Sequence, residues 1–175
     1  MADVACFKTT IGWIGLATTD KGVAQVLLGG RNRVQIERAL ATHLNGNPSP
    51  EASDGGALLR DAQAQIVDYL NGRRTDFSLP VDLSAGTSFQ RRVWRSIERV
   101  PYSRVRSYQW VATRVGGRQY ARAVGMALGA NPVPLIIPCH RIVAQDGSLG
   151  GFSCGLPLKR RLLDLEGSLA LLLSR

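Results

Sequence analysis

At 175 residues, 45% of them hydrophobic, the chain is long enough to bury a core, in one unit or two small ones, and too apolar to be disordered. Its +9 net charge is unevenly placed: residues 1–82 hold 8 Lys+Arg against 9 Asp+Glu, net −1, and residues 83–175 hold 14 against 4, net +10. The second half therefore points to a polyanionic partner, with a merely solvated basic surface as the plain alternative.

Cys6, Cys139 and Cys154 are odd in number and scattered, so they imply no disulfide framework and fit a reducing compartment. No basic segment leads into a long apolar run at the start, and Leu169–Leu173 is too short to span a bilayer. The sequence reads as soluble and cytoplasmic, with no membrane partner.

In chain order, Gly12–Thr19 and Val23–Leu28 flank the turn Asp20-Lys21-Gly22 and predict a hairpin. Val34, Leu40 and Leu44 are near helical spacing, and Asn45–Pro50 reads as a loop. A second helix, with Asp54 as its candidate cap, puts Leu58, Leu59, Ala62, Ile66 and Leu70 on one face and stops at Gly72. The extended run Asp76–Val81 is expected to pair with the hairpin, and residues 82–86 read as a connector.

Thr87 and Gln90 then have capping-box spacing ahead of the stripe Phe89, Val93, Trp94, Ile97 and Val100, closed by Pro101. Arg91, Arg92, Arg95 and Arg99 take the other side, as a DNA contact or a solvated face. Ser107 caps a short helix with Val111, Ala112 and Val115 inward. Gly116-Gly117 leads to a further helix from Gln119 to about Gly129, a helix-turn-helix pattern. The small residues of that last helix suit either tight helix packing or close approach to a nucleic-acid groove, with Arg122 reaching in.

The run Asn131 to Arg141 ends in Pro138-Cys139-His140-Arg141, which sets a thiol beside an imidazole and a guanidinium. If Cys139 begins a helical turn, the exposed N–H groups favour its thiolate. Adjacent helical residues do not face each other, so His140 would take the proton through a water. Glu166 is the candidate to hold the imidazole's tautomer, a solvated terminal Glu being the alternative. It lies near the end of a Leu-rich helix read over Leu156–Glu166, with Pro157 near the start and Gly167 as the stop.

From Gly86-Thr87-Ser88-Phe89-Gln90 through Val93-Trp94, Ser107-Tyr108, Arg122–Gly125, Asn131-Pro132, Pro138–Arg141, Gly155-Leu156 and Lys159 to Glu166-Gly167, the chain resembles the O6-alkylguanine-DNA alkyltransferases. The N-terminal half matches only loosely. The resemblance implies an α+β fold: a small ribonuclease-H-like α/β domain over 1–82, then a mainly helical, winged helix-turn-helix-like domain over 83–175. It implies direct-reversal DNA repair, in which an alkyl group passes irreversibly from O6-alkylguanine, and O4-alkylthymine, to Cys139.

By the same resemblance His140 is the water-mediated base, Glu166 orients it, Tyr108 donates to the departing base and Asn131 braces the turn. Ile142, Phe152, Ser153 and Cys154 join Tyr108 around the substrate, and Gln109, Ala121, Arg122 and Gly125 contact DNA. The implied partner is double-stranded DNA containing O6-alkylguanine, met by a monomer with cooperative assembly left open. No cofactor is implied, and Cys6 with His43 makes no zinc set.

Four positions depart from the family pattern. Ser103 and Cys154 stand where Gly is usual, Phe152 where Tyr is, and Tyr120 where a small residue is frequent. Competing readings are a damage binder, disfavoured because that group lacks the acceptor cysteine, a Cys-His-Glu hydrolase, and a regulator carrying an inactive domain.

Overall fold

The computed structural model describes residues 2–44 and 56–173. The chain divides into two compact units, Met1–Leu83 and Ser84–Arg175. The first is a three-stranded antiparallel sheet, β1 (Asp3–Thr9), β2 (Gly12–Thr19) and β3 (Gly22–Gly30), with helices α1 (Arg33–His43) and α2 (Ala57–Leu70).

The hairpin lies where its turn residues put it, but β1 was not expected, because Asp3–Thr9 lacks a clean alternation of polar and apolar side chains. Along β2 the side-chain period of two points Trp13, Gly15 and Ala17 toward α1 and leaves Ile14 and Leu16, both fully buried, for the opposite face. A Cβ on Gly15 would come within 2.7 Å of Ile36, so glycine there lets α1 approach the sheet.

One expectation needs correction and two are refined. The buried face of α1 is Ile36 and Leu40, whereas Val34 is 53% exposed, because spacings of four from Ile36 set the stripe. The run Asp76–Val81 is extended but is not a strand. Its contact with the sheet is the single bridge of Val23 to Val81, bonded on either side through Pro80 and Asp82. On α2 the buried face extends to Gln65 and Tyr69, since Gln65 holds Asp61 and the Ser78 amide. The Asn45–Pro50 loop and the Asp54 cap lie outside the described residues.

The second unit is mainly helical: α3 (Ser88–Ile97), α4 (Tyr108–Val115), α5 (Ala121–Gly129), α6 (Leu156–Leu165) and α7 (Ser168–Leu173), with Arg106–Ser107 paired in parallel to Ile142–Val143. Both arms of the Thr87–Gln90 capping box form, and Ser107 caps α4 by accepting from the Trp110 amide. Trp94 is buried on α3 and donates its indole N–H to the Ala127 carbonyl at 2.7 Å, satisfying its polar edge while joining α3 to α5. Between α4 and α5 the chain turns at Gly116-Gly117 and makes one 3-10 turn, Arg118–Tyr120, before the α-helix begins. Among the described residues no helix is long and apolar enough to cross a membrane.

Candidate active site

Cys139 opens a 3-10 turn, Cys139–Arg141, at the end of the proline-rich run. Asn131 holds that run from both ends: its amide donates to the Ile137 carbonyl at 2.9 Å and its side-chain oxygen accepts from the Val133 amide at 3.1 Å. Between them Leu135 is held at φ +76°, an uncommon value for a branched side chain, so the approach to the thiol is a constrained loop. Asn131 also hydrogen-bonds the Cys139 side chain.

The thiol faces a cavity of about 350 Å3 lined by Tyr108, Gly125, Leu128, Gly129, Cys139, Gly151, Phe152 and Ser153. Helix α5 supplies one wall and the loop before α6 the other. Tyr108, at the start of α4, donates its hydroxyl to the Gly151 carbonyl at 3.2 Å. A Cβ on Gly150, at φ +68°, would lie 2.7 Å from that phenol ring, so glycine lets the loop close over it. Of the residues expected around a substrate, Ile142 and Cys154 do not line the cavity.

Behind the thiol, His140 is fully buried and its Nε2 lies 2.8 Å from Glu166 Oε1. The same carboxylate receives the Arg141 guanidinium through Nε and Nη2, at 2.8–3.1 Å, and the Ser103 amide at 3.3 Å. Burial raises the Glu166 carboxyl, but the bonds from His140 and Arg141 outweigh it and bring the group down to about 2. An ionised carboxylate only accepts, so Nε2 carries the imidazole proton and Nδ1 is the basic nitrogen. Burial holds the His140 pKa below its usual value despite Glu166, leaving the ring neutral at pH 7.

The Arg141 guanidinium, beside the thiol in sequence, turns to Glu166 and to the Val100 carbonyl, at 2.6 Å. Cys139 rests as a thiol: burial pushes its pKa up to about 11, outweighing the bond from Asn131 and the Lys159 charge, with Cys154 adding to the rise. The exposed N–H groups of a three-residue turn do not offset complete desolvation.

Sequence reasoning gave no role to Lys159, which is fully buried on α6. Its ammonium donates to the carbonyls of Ile142 and Leu149, both at 2.5 Å, and of Gly151 at 3.0 Å. Three acceptors match three protons, and burial lowers the group only to about 8, so it stays charged at pH 7. Because Gly151 also accepts from Tyr108, Lys159 fixes the cavity's outer loop and the phenol together. A lysine at the head of the basic run Lys159-Arg160-Arg161 reads as solvated, which hid it.

Three of the four departures from the family pattern have defined local settings. Ser103 adopts φ +60°, the left-handed region that glycine favours, and its hydroxyl donates to the Glu166 carbonyl. Tyr120 turns its ring to Phe89, centroids 6.0 Å apart, and stays 42% exposed. Cys154 is 3.9 Å from the Ser153 hydroxyl. Gln109 is half-buried on α4, and on α5 Ala121 and Gly125 are half-buried while Arg122 is exposed.

This arrangement, a buried thiol at the base of an open cavity with a neutral imidazole and a carboxylate behind it, suits nucleophilic chemistry on a substrate held in that cavity. Residues 88–168 match the family model described as the DNA-binding domain of 6-O-methylguanine DNA methyltransferase. The methylated-DNA–protein-cysteine methyltransferase of Mycolicibacterium paratuberculosis is 35% identical over 149 residues, 85% of this chain and 90% of that protein. The inducible enzyme of that name from Bacillus subtilis is 37% identical over 151 residues, 86% and 82% of the two chains. The crystal structure of Mycobacterium tuberculosis O6-methylguanine methyltransferase superposes with a TM-score of 0.77 at 34% identity, covering 96% of this chain and 94% of that one. A structure of the M. tuberculosis OGT in complex with DNA gives the same TM-score at 33% identity, covering 95% and 93%. On this similarity, which spans both units, the chain belongs to the methylated-DNA–protein-cysteine methyltransferase family.

Proposed function

We propose that the chain repairs alkylated DNA by a single, irreversible transfer of the alkyl group from O6-alkylguanine, and O4-alkylthymine, in duplex DNA to Cys139. The observation that carries the reading is the thiol at the base of a cavity of about 350 Å3, backed by the His140–Glu166 pair.

The lesion is turned out of the duplex into the cavity. The thiol proton passes through water to His140 Nδ1, and Glu166 stabilises the imidazolium that results. The sulfur attacks the alkyl carbon, an S–C bond forms, the C–O6 bond breaks, and its electron pair leaves with guanine. Tyr108 exchanges its bond to Gly151 for one to the base and supplies the proton the guanine anion needs. Burial keeps its phenol protonated. A thiol near 11 deprotonates only as the reaction calls on it, which suits a nucleophile used once. The product is a thioether with no electrophilic carbonyl for water to attack, so no turnover follows.

Binding is assigned to α5, with Arg122 filling the vacated stack and Ala121 and Gly125 permitting close approach to the minor groove, and to Gln109 on the backbone. The Gly116-Gly117 turn between α4 and α5 supports a winged helix-turn-helix reading of residues 83–175, and the sheet with its two helices supports a ribonuclease-H-like reading of residues 1–82. The protein acts as a monomer, and a reducing intracellular compartment suits its three free cysteines. Incubation with a duplex carrying O6-methylguanine, followed by intact-protein mass spectrometry, tests the reading. The protein gains one methyl group and Cys139→Ser gains none. Tight binding with unchanged mass contradicts it and favours a damage binder.

A further inference from the structure

Helix α5 buries Val124, Ala127 and Leu128 and turns Arg122, Gly125, Met126 and Gly129 outward. Of these only Arg122 and Met126 have side chains of any length. Met126 is 74% exposed, an apolar group left in water on a unit that buries its other large apolar side chains on this helix. Gly125 and Gly129 beside it would meet nothing within 4 Å if each carried a Cβ, so packing inside the protein does not require them, although each weakens the helix by about 1 kcal/mol relative to alanine. Both glycines also line the Cys139 cavity, which Met126 does not, so the same helix carries the cavity wall and the exposed thioether.

We infer that Met126 is a second prong on this helix: an apolar side chain that enters the minor groove one turn from Arg122 and unstacks the base step beside the lesion. The inference rests on the proposed function. The occupant is duplex DNA, matching the +10 charge of residues 83–175. Arg122 and Met126 are four residues apart on one face, about 6 Å along the axis, so the two side chains address neighbouring base steps rather than the same one. Arginine, whose charge stays solvated by phosphates, suits the vacated stack. A thioether has no polar demand and fills the irregular gap of a partly opened step. Unstacking there lowers the cost of turning out the damaged base, and the side chain then buries the surface it now exposes.

The test compares Met126→Ala, Met126→Gln and Met126→Leu with the parent protein on a duplex carrying O6-methylguanine flanked by 2-aminopurine, whose fluorescence rises on unstacking. Free O6-benzylguanine reports the chemistry alone. Met126→Ala and Met126→Gln slow methyl transfer from the duplex about tenfold and reduce the fluorescence rise, Met126→Leu retains both, and all react with the free base like the parent. Duplex transfer and fluorescence unchanged in Met126→Ala and Met126→Gln overturn the inference. A parent protein that reacts with the free base but takes nothing from the duplex instead refutes the functional reading beneath it.

Discussion

Glu166→Gln replaces the carboxylate that holds His140, Arg141 and the Ser103 amide with a group of the same shape and no charge. At pH 7 the Arg141 guanidinium is then buried without a counter-charge, a loss of about 3–5 kcal/mol for a pair broken on one side. The pH dependence is a sharper signature. The carboxyl titrates near about 2 in the folded chain against an ordinary value of 4.5, so its contribution is fully present above 4.5 and is lost as pH falls through 2. A difference of that size is worth about 3 kcal/mol in full, of which about 2 kcal/mol is gone by pH 3. Urea unfolding of parent and variant, followed by tryptophan fluorescence, should show a stability gap that narrows by about 2 kcal/mol between pH 7 and pH 3. A gap that stays constant over that interval refutes the assignment of Glu166 as an ionised, strongly held carboxylate.

Lys159→Met leaves the Ile142 and Leu149 carbonyls without their lysine donor, both bonds at 2.5 Å, and Gly151 with Tyr108 alone. It should cost on the order of 2 kcal/mol in urea unfolding and slow transfer to free O6-benzylguanine as the loop that holds Tyr108 loosens. Arg122→Ala should slow repair of duplex DNA far more than reaction with free O6-benzylguanine, and equal losses would argue against a role in base extrusion.

The elements legible in the sequence are those with a chemical punctuation mark. Thr87 and Gln90, Ser107 and the turn at Gly22 each fix a boundary through a hydrogen bond or a backbone conformation that few residues supply. Asp3–Thr9 and Asp76–Val81 carry no such mark, and the first became a strand while the second did not, because sheet pairing is decided by long-range partners. At the site, thiol, imidazole and carboxylate were readable as a set. What was not readable is burial: Arg141 and Lys159 look like surface charges in the sequence, yet both are enclosed and each organises several other groups. The protonated resting state of the thiol follows from the same burial, which outweighs the exposed N–H groups expected to favour its thiolate.

The central claim is that Cys139, rather than Cys6 or Cys154, accepts the alkyl group. Reaction with a duplex carrying isotopically labelled O6-methylguanine, followed by proteolysis and tandem mass spectrometry, reads this directly. The label should appear once per molecule, as S-methylcysteine at position 139, with Cys6 and Cys154 unmodified. A label on either of those two, or label released as methanol with Cys139 still free, would contradict the account.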